Sequence, residues 1–237
     1  MPLTKSPYEI VNPKERWIPT VEKDLGKFLP PLVLKIREEV YEWREQDYKG
    51  ATSTTKALLK WWFDTEHENF RYYFAQREAV ETIIYLHEIA NIRDKDQLFN
   101  NYNSSLEVTQ KHFTENWLRL VTKMATGSGK TKVMSLLIVW CYFNRLYENN
   151  NELSSNFLII APNIIVLDRL KTDFDNLSIF RKDPCIPEDG INNQNWKIDF
   201  FSDVEVHIQK QARVKKQKGN IFLTNIQQIY AGREKSP

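Results

Sequence analysis

The chain has 237 residues, of which 41% are hydrophobic and 13% aromatic, so it can bury a sizeable core as one large domain or one domain plus a small one. This composition excludes an intrinsically disordered protein. The formal net charge is only +2, so any argument for nucleic-acid binding must rest on local patches and not on bulk charge.

Targeting signals and cysteine usage favour a cytoplasmic protein. The longest apolar run is interrupted well before it could span a bilayer, and the first residues lack the apolar stretch of a secretion signal. The two cysteines, Cys141 and Cys185, form no CxxC pair. We therefore expect a reduced, cytoplasmic protein with no membrane partner.

The first half of the chain predicts a mainly helical region. Residues 1–31 carry six prolines and predict an extended lead-in. Polar residues 91–116 predict a surface insertion. Apolar residues at helical spacing predict helices over residues 32–49, 55–67 and 76–90.

The second half alternates strands with helices, which predicts an α/β fold with a mainly parallel sheet. A run rich in proline, asparagine and aspartate predicts a loop at residues 181–197. Helices are expected at residues 131–147 and 164–174. Strands are expected at residues 118–123, 157–161 (a buried one), 204–208 and 221–224.

Residues 124–131 form the most informative stretch, Met-Ala-Thr-Gly-Ser-Gly-Lys-Thr. Gly127 and Gly129 permit tight turns that bring backbone N–H groups to phosphate oxygens, and Lys130 can reach the β- and γ-phosphates. The Thr131 hydroxyl can ligate Mg²⁺. Met124 stands where the strict pattern has its first glycine, and the alternative is a glycine turn with an exposed lysine. The predicted nucleotide-binding residues of this loop are Thr126, Gly127, Ser128, Gly129, Lys130 and Thr131, of which Lys130 and Thr131 are also the predicted catalytic residues.

Four stretches of the chain, at residues 74–80, 124–131, 161–170 and 222–230, resemble the motifs of superfamily 2 helicases and occur in the same order. Residues 74–80, Phe-Ala-Gln-Arg-Glu-Ala-Val, resemble the adenine-reading glutamine motif, and the phosphate loop resembles the first motif. Residues 161–170 and 222–230 are similar to the two motifs that follow at strand ends. The stretches most resemble the ATP-driven motor subunit of type III-like restriction enzymes, which are DEAD/DEAH-box proteins.

The resemblance implies a partial RecA-like phosphate-loop domain preceded by a helical N-terminal region, with ATP and Mg²⁺ as cofactors. Gln76 would hydrogen-bond the adenine edge, because its amide offers both a donor and an acceptor; the alternative is a glutamine facing solvent at a helix start. Contacts to phosphate and sugar do not depend on the base sequence, as is expected for a motor that moves along DNA. The implied DNA-binding residues are Pro162, Asn163, Arg169, Thr224 and Asn225, with a solvated helix face as the alternative for Arg169.

Two further features have both a functional and a structural interpretation, and the structural interpretation is favoured for each. Residues 210–218 form a basic run that could grip phosphates, although a solvated loop is the favoured interpretation. The aromatic clusters at residues 61–63 and 72–74 could stack on bases, although packing next to the nucleotide pocket is favoured.

A phosphate-loop ATPase also needs an acidic pair at the end of an apolar strand. The nearest acids, Asp199, Asp203 and Glu205, lie in the wrong order and follow no apolar run. In the family this box follows the stretch that matches residues 224–230. We therefore expect a chain truncated before the acidic box, with an N-terminal helical or extended region at 1–68 and the first RecA-like domain at 69–237.

The expected function is that of an ATP- and DNA-binding N-terminal fragment of a helicase or translocase in a restriction-modification system, with little turnover on its own. Expected partners are double- or single-stranded DNA, a second RecA-like domain and a modification (methyltransferase) subunit. Two alternatives stay open: a non-catalytic nucleotide- or nucleic-acid-binding module complete as it stands, and another phosphate-loop class such as a small-molecule kinase.

Overall fold

A computed structural model describes residues 6, 8–10, 31–102, 118–208 and 218–231. The predicted lead-in over residues 1–31 and the basic run lie almost wholly outside these residues. The chain divides into two compact units, Met1–Ala51 with Tyr72–Ser128 and Thr52–Arg71 with Gly129–Pro237. The domain boundary predicted between residues 68 and 69 stays a prediction.

The described residues contain helices in both units and a parallel sheet in the second. None of these helices is long and apolar enough to cross a membrane. The strands are β1 (Asn156–Ala161), β2 (Val204–Ile208) and β3 (Gly219–Asn225). The helices are α1 (Pro31–Glu45), α2 (Ser53–Phe63), α3 (Phe74–Ile84), α4 (Lys95–Tyr102), α5 (Lys130–Tyr147), α6 (Ile164–Phe174), α7 (Ser178–Lys182), α8 (Trp196–Asp203) and α9 (Ile226–Ala231).

The end of α1 differs from the prediction, because the helix stops at Glu45 and does not reach residue 49. Tyr48 has a left-handed φ of 54° and its ring is buried. The Tyr48 N–H donates to the Trp43 carbonyl at 3.0 Å, and the Trp43 indole donates to the Lys49 carbonyl at 3.1 Å. Burial of Tyr48 therefore reverses the chain before the apolar pattern ends.

The predicted surface insertion at 91–116 is wrong in its first part. It contains α4, whose last residue, Tyr102, is buried in the core of the first unit with Ile36 and Leu86. Leu98 and Tyr102 lie four residues apart and form an apolar face that the polar composition hid. Residues 103–116 lie outside the described residues.

The strand predicted at residues 118–123 is also wrong. A strand needs a neighbouring strand for its backbone hydrogen bonds, and the described strands offer none to this segment. Val121 is 91% exposed, and the segment lines a cavity of about 530 Å³ in the first unit together with α1 and α3. The pattern of apolar and polar residues at 118–123 is compatible with an extended backbone, but it does not supply the second strand that a sheet needs.

The sheet of the second unit has the strand order β1-β3-β2, and both pairs are parallel. This arrangement confirms the predicted α/β fold with a parallel sheet. The prediction that the strand over residues 157–161 is buried is wrong in part. Leu158 is 61% exposed and Ile160 46%, because β1 is an edge strand and this face of it is uncovered in the described residues.

The second unit has an aromatic core, and part of the predicted loop at 181–197 belongs to it. Helix α8 begins inside that loop with Trp196, which stacks on Phe143 of α5 at 4.6 Å. Phe200, one helical turn further, lies 5.2 Å from Tyr142 and 4.9 Å from Phe180. Two large aromatic residues in one short helix therefore supply the burial that the polar loop residues concealed.

Candidate functional site

The two glycines of the phosphate loop adopt the backbone conformation that the sequence predicts. Gly127 has φ 80° and Gly129 φ 82°, both in the left-handed region that residues with a Cβ avoid. A Cβ added to Gly127 would meet nothing within 4 Å, so the dihedral and not the space requires glycine there. Gly127 lies inside a turn in which the Ser128 N–H and hydroxyl both donate to the Ala125 carbonyl, at 3.3 and 2.7 Å.

Helix α5 begins at Lys130, directly after the loop, as predicted. Gly129 is its N-cap and has no side chain to satisfy the first N–H groups. The N–H groups of the first turn and the positive end of the helix dipole together favour an anion at this position. Lys130 is exposed and Thr131 half-buried in the first turn. Lys132, in contrast, contacts the Asp183 carboxylate and lies 4.7 Å from the centre of the Phe70 ring.

Gln76 is held on the phosphate loop. Its side-chain Nε2 donates to the Ser128 carbonyl at 2.9 Å, and its Oε1 accepts the N–H of Tyr73, the N-cap residue of α3, at 2.9 Å. The residue is only 2% exposed, so the alternative of a glutamine facing solvent is wrong. An amide can make four hydrogen bonds, and these two contacts use one N–H and one lone pair.

A cleft of about 430 Å³ lies beside this hydrogen bond in the first unit. Tyr73 is 37% exposed on its wall, and the Tyr8 ring lies 5.2 Å from the Tyr73 ring. An aromatic wall next to glycine-loop N–H groups suits a flat ring that carries phosphates. The residues that line the cleft are Ser6, Glu9, Tyr73, Phe74, Ala75, Thr126, Gly127 and Ser128.

The packing role expected for the aromatic clusters is confirmed for two residues and wrong for Tyr73. Tyr72 is 5% exposed, and Trp62 is 2% exposed with its indole donating to the Cys185 carbonyl at 2.7 Å. Tyr73 instead faces the cleft. Its place three residues before Gln76 was the signal that could have identified it, because a glutamine side chain in the first helical turn can reach back to the N–H of the N-cap residue.

The strand-end residues meet at one edge of the sheet in the second unit. Ala161, at the end of β1, lies opposite Asn225, at the end of β3. Asn163 caps α6 by accepting the Val166 N–H at 3.0 Å, and Asn225 accepts the Gln228 N–H at 2.9 Å. Two helices therefore start side by side at this edge, with the helix N-termini that commonly contact phosphates.

The exposure of the five predicted DNA contacts differs. The exposed ones are Pro162, Asn163 and Arg169, whereas Thr224 is half-buried and donates to the Gln228 side chain at 3.0 Å. Asn225 is only 3% exposed, so its side chain serves the helix cap. The geometry thus brings four of the five to one edge and places Arg169 further along α6.

Family membership follows from a comparison with known protein families. The model of the family described as type III restriction enzyme, res subunit, matches residues 69–237. This chain belongs to that family. The family is one of the DEAD-like superfamily 2 helicases, so the resemblance inferred from the motifs is confirmed, as is a partial RecA-like fold. No curated protein and no solved structure matches the chain.

Acidic side chains near the phosphate loop would be the usual protein ligands of a metal ion. Within the described residues, no group of three histidine, cysteine, aspartate or glutamate side chains could hold a metal ion. Two of the three acids that the sequence offered are engaged elsewhere: Asp199 accepts from the Tyr147 hydroxyl, and Asp203 pairs with Lys218 at 3.0 Å. Burial is the main reason that the pKa of the Tyr147 hydroxyl lies above its usual range, and the hydrogen bond to Asp199 raises this pKa further.

Proposed function

We propose that this chain binds ATP and a DNA backbone as part of the ATP-driven helicase or translocase of a restriction system. Membership of the res-subunit family supports a helicase-like motor of such a system. The observation that carries the nucleotide assignment is the hydrogen bond from Gln76 Nε2 to the Ser128 carbonyl of the phosphate loop. This hydrogen bond links Gln76, whose amide could bind the base, to the loop whose N–H groups could bind the phosphates.

The base is proposed to lie against Tyr73 in the cleft of the first unit. Adenine presents an exocyclic amino donor next to a ring-nitrogen acceptor. The spare lone pair of Gln76 Oε1 matches the amino group, and the spare Nε2 hydrogen matches the ring nitrogen. Stacking on an exposed tyrosine adds binding energy without selecting a particular base.

The phosphates are proposed to lie on the N–H groups of residues 126–131, with Lys130 opposite their negative charge. The Thr131 hydroxyl would hold Mg²⁺ together with phosphate oxygens. This donor set fits the ion, because Mg²⁺ in nucleotide sites is bound by few protein oxygens and completes its shell with phosphates and water. The ion would neutralise phosphate charge, and Lys130 and Thr131 are the proposed catalytic residues that orient the terminal phosphate.

Calorimetry with ATP and Mg²⁺ tests the nucleotide assignment, with Lys130→Ala as the probe. We expect at least about a tenfold loss of affinity, equivalent to about 1.4 kcal/mol. Lys132→Ala is the matched control, since Lys132 lies in the same helical turn and contacts Asp183. We expect it to bind ATP as the native chain does. Equal affinity of the native chain and Lys130→Ala for ATP would refute the assignment.

The DNA surface is proposed to run from the edge where β1 and β3 end along the exposed side of α6, with Arg169 as a phosphate contact. Anisotropy of a labelled duplex and a labelled single strand, titrated over a range of salt, tests it. We expect Arg169→Ala to lower the slope of log affinity against log salt by about one. Lys171→Ala is the control, because Lys171 pairs with Asp168 at 3.0 Å on the same helix. An unchanged slope for Arg169→Ala removes this residue from the surface.

A further inference from the structure

A buried ionic cluster lies in the first unit, and it begins one residue after Gln76. Glu81 is fully buried and accepts hydrogen bonds from side chains of three different segments. The Arg77 Nε donates at 2.8 Å, the Tyr48 hydroxyl at 2.6 Å and the Arg44 Nε at 2.9 Å. Arg77 Nη2 also donates to the Tyr48 hydroxyl at 2.8 Å, so Arg77, Tyr48 and Glu81 form a ring of hydrogen bonds.

The cluster is not an efficient source of stability. Two arginines surround one carboxylate that is fully buried. Arg44 Nη1 is buried and has no hydrogen-bond partner in the part of the chain that the structure describes. Buried ion pairs often contribute no more than well-packed apolar residues of similar size, but they do fix orientation. Their geometric consequence is therefore the feature to explain.

That consequence falls on the first turn of α3. Successive residues of a helix point about 100° apart, so Gln76 and Arg77 leave the turn on different sides. Gln76 bonds the Ser128 carbonyl, and Arg77 bonds Glu81 and Tyr48. The turn is held from two directions, and the planar guanidinium of Arg77 allows little rotation.

We propose that this cluster, made of Arg44, Tyr48, Arg77 and Glu81, positions Gln76 and so sets the base preference of the nucleotide site. Arg77 and Glu81 act through Gln76 and touch no ligand, which makes them positioning residues. The inference rests on the proposed function, because it needs a nucleotide whose base lies at Gln76. It predicts that disturbing the cluster weakens recognition of the base and leaves phosphate binding intact.

The test compares affinities for ATP, GTP and inorganic tripolyphosphate, each with Mg²⁺, by calorimetry. Arg77→Lys keeps the charge but loses the planar fork. We expect it to bind ATP about tenfold more weakly, to lose its preference for ATP over GTP, and to bind tripolyphosphate within about twofold of the native chain. Tyr48→Phe removes a single hydroxyl, and we expect the same direction with about a threefold effect.

The matched control is Arg37→Lys. Arg37 pairs with Glu78 at 3.1 Å and also joins α1 to α3, but it belongs to the cavity wall and not to the cluster. We expect it to leave all three affinities unchanged. A general structural effect would weaken ATP and tripolyphosphate equally in Arg77→Lys and would overturn the proposal, as would unchanged base preference in both cluster variants.

The outcomes separate this proposal from the proposed function. If the native chain binds neither ATP nor tripolyphosphate, the nucleotide site itself is refuted and the positioning role with it. If the native chain prefers ATP and depends on Lys130, but the cluster variants keep that preference, only the positioning role is refuted. Circular dichroism and thermal melting of each variant confirm that folded chains are compared.

Discussion

Replacing Gly190 with alanine would place a methyl group inside the indole ring of Trp196. An added Cβ would lie 1.9 Å from Trp196 Nε1 and 2.0 Å from Cδ1. The φ of Gly190 is −84°, so any residue can adopt this backbone and the close approach alone requires glycine. Trp196 is fully buried and stacks on Phe143, which leaves its ring little room to move.

The magnitude follows from two costs. Forcing a methyl group into a packed core costs about 1–3 kcal/mol. A displaced ring would also lose the hydrogen bond from Trp196 Nε1 to Gln194 Oε1, 2.8 Å long, which adds about 1 kcal/mol. We expect Gly190→Ala to lower the free energy of unfolding by about 2–4 kcal/mol, or the melting temperature by about 5–15 °C.

Urea unfolding followed by tryptophan fluorescence measures this cost. Asp189→Ala is the control, because the neighbouring side chain is exposed. In a Trp196→Val background, which lacks the ring that the methyl group would strike, we expect Gly190→Ala to cost about 1 kcal/mol or less. A cost below about 0.5 kcal/mol in the native background would contradict the packing described for the second unit.

Three other changes have defined outcomes. Asn163→Ala removes the cap of α6 and should cost about 1 kcal/mol in urea unfolding, whereas Asn163→Ser should restore most of it; equal costs would contradict the cap. Asn144→Leu removes a buried amide that accepts from the Thr52 hydroxyl at 2.7 Å and donates to Thr55 Oγ1 at 3.1 Å, and it should cost about 2–3 kcal/mol in the same assay. Burial raises the pKa of Cys141 to about 12, and burial with Glu39 raises that of Tyr85 to about 12. The folded state therefore holds these protons more tightly than the unfolded state, and the free energy of unfolding should fall between about pH 9 and pH 12, less so in Cys141→Ala; a flat profile would contradict these shifts.

The elements that the sequence predicts well are those with local signals at both ends. Helix α6 runs over the predicted residues because Asn163 caps its start and its apolar positions follow a helical period. The phosphate loop and α5 were equally clear, since the glycines demand left-handed backbone and an apolar run follows. Parallel β1 and β3 followed from short apolar runs.

The elements that were missed depend on distant partners. Residues 118–123 have a strand-like pattern, but a ladder needs a second strand that local sequence does not specify. Helix α8 begins at the end of a polar stretch that predicts a loop, and the docking of Trp196 on Phe143 stabilises its first turn. Tertiary packing therefore overrode composition in both cases.

Part of the candidate site could likewise be predicted from local sequence, and part of it could not. Residue types and spacing predicted Gln76 and the phosphate loop, whereas the hydrogen bond between Gln76 and Ser128 joins residues 52 positions apart. The cluster around Glu81 was not predicted, because a single glutamate in a helix is usually solvent-exposed. Only the fold shows that it is fully buried between two arginines.

Photo-cross-linking with 8-azido-ATP tests the central claim most directly, because it locates the base. The label should appear on the peptide that contains Tyr73 or on the one that contains Tyr8, and excess ATP should abolish it. Lys130→Ala should reduce labelling at the concentration that half-saturates the native chain. Labelling confined to the second unit, for example beside Trp61, or labelling that ATP does not compete away, would contradict a nucleotide site built around Gln76 and the phosphate loop.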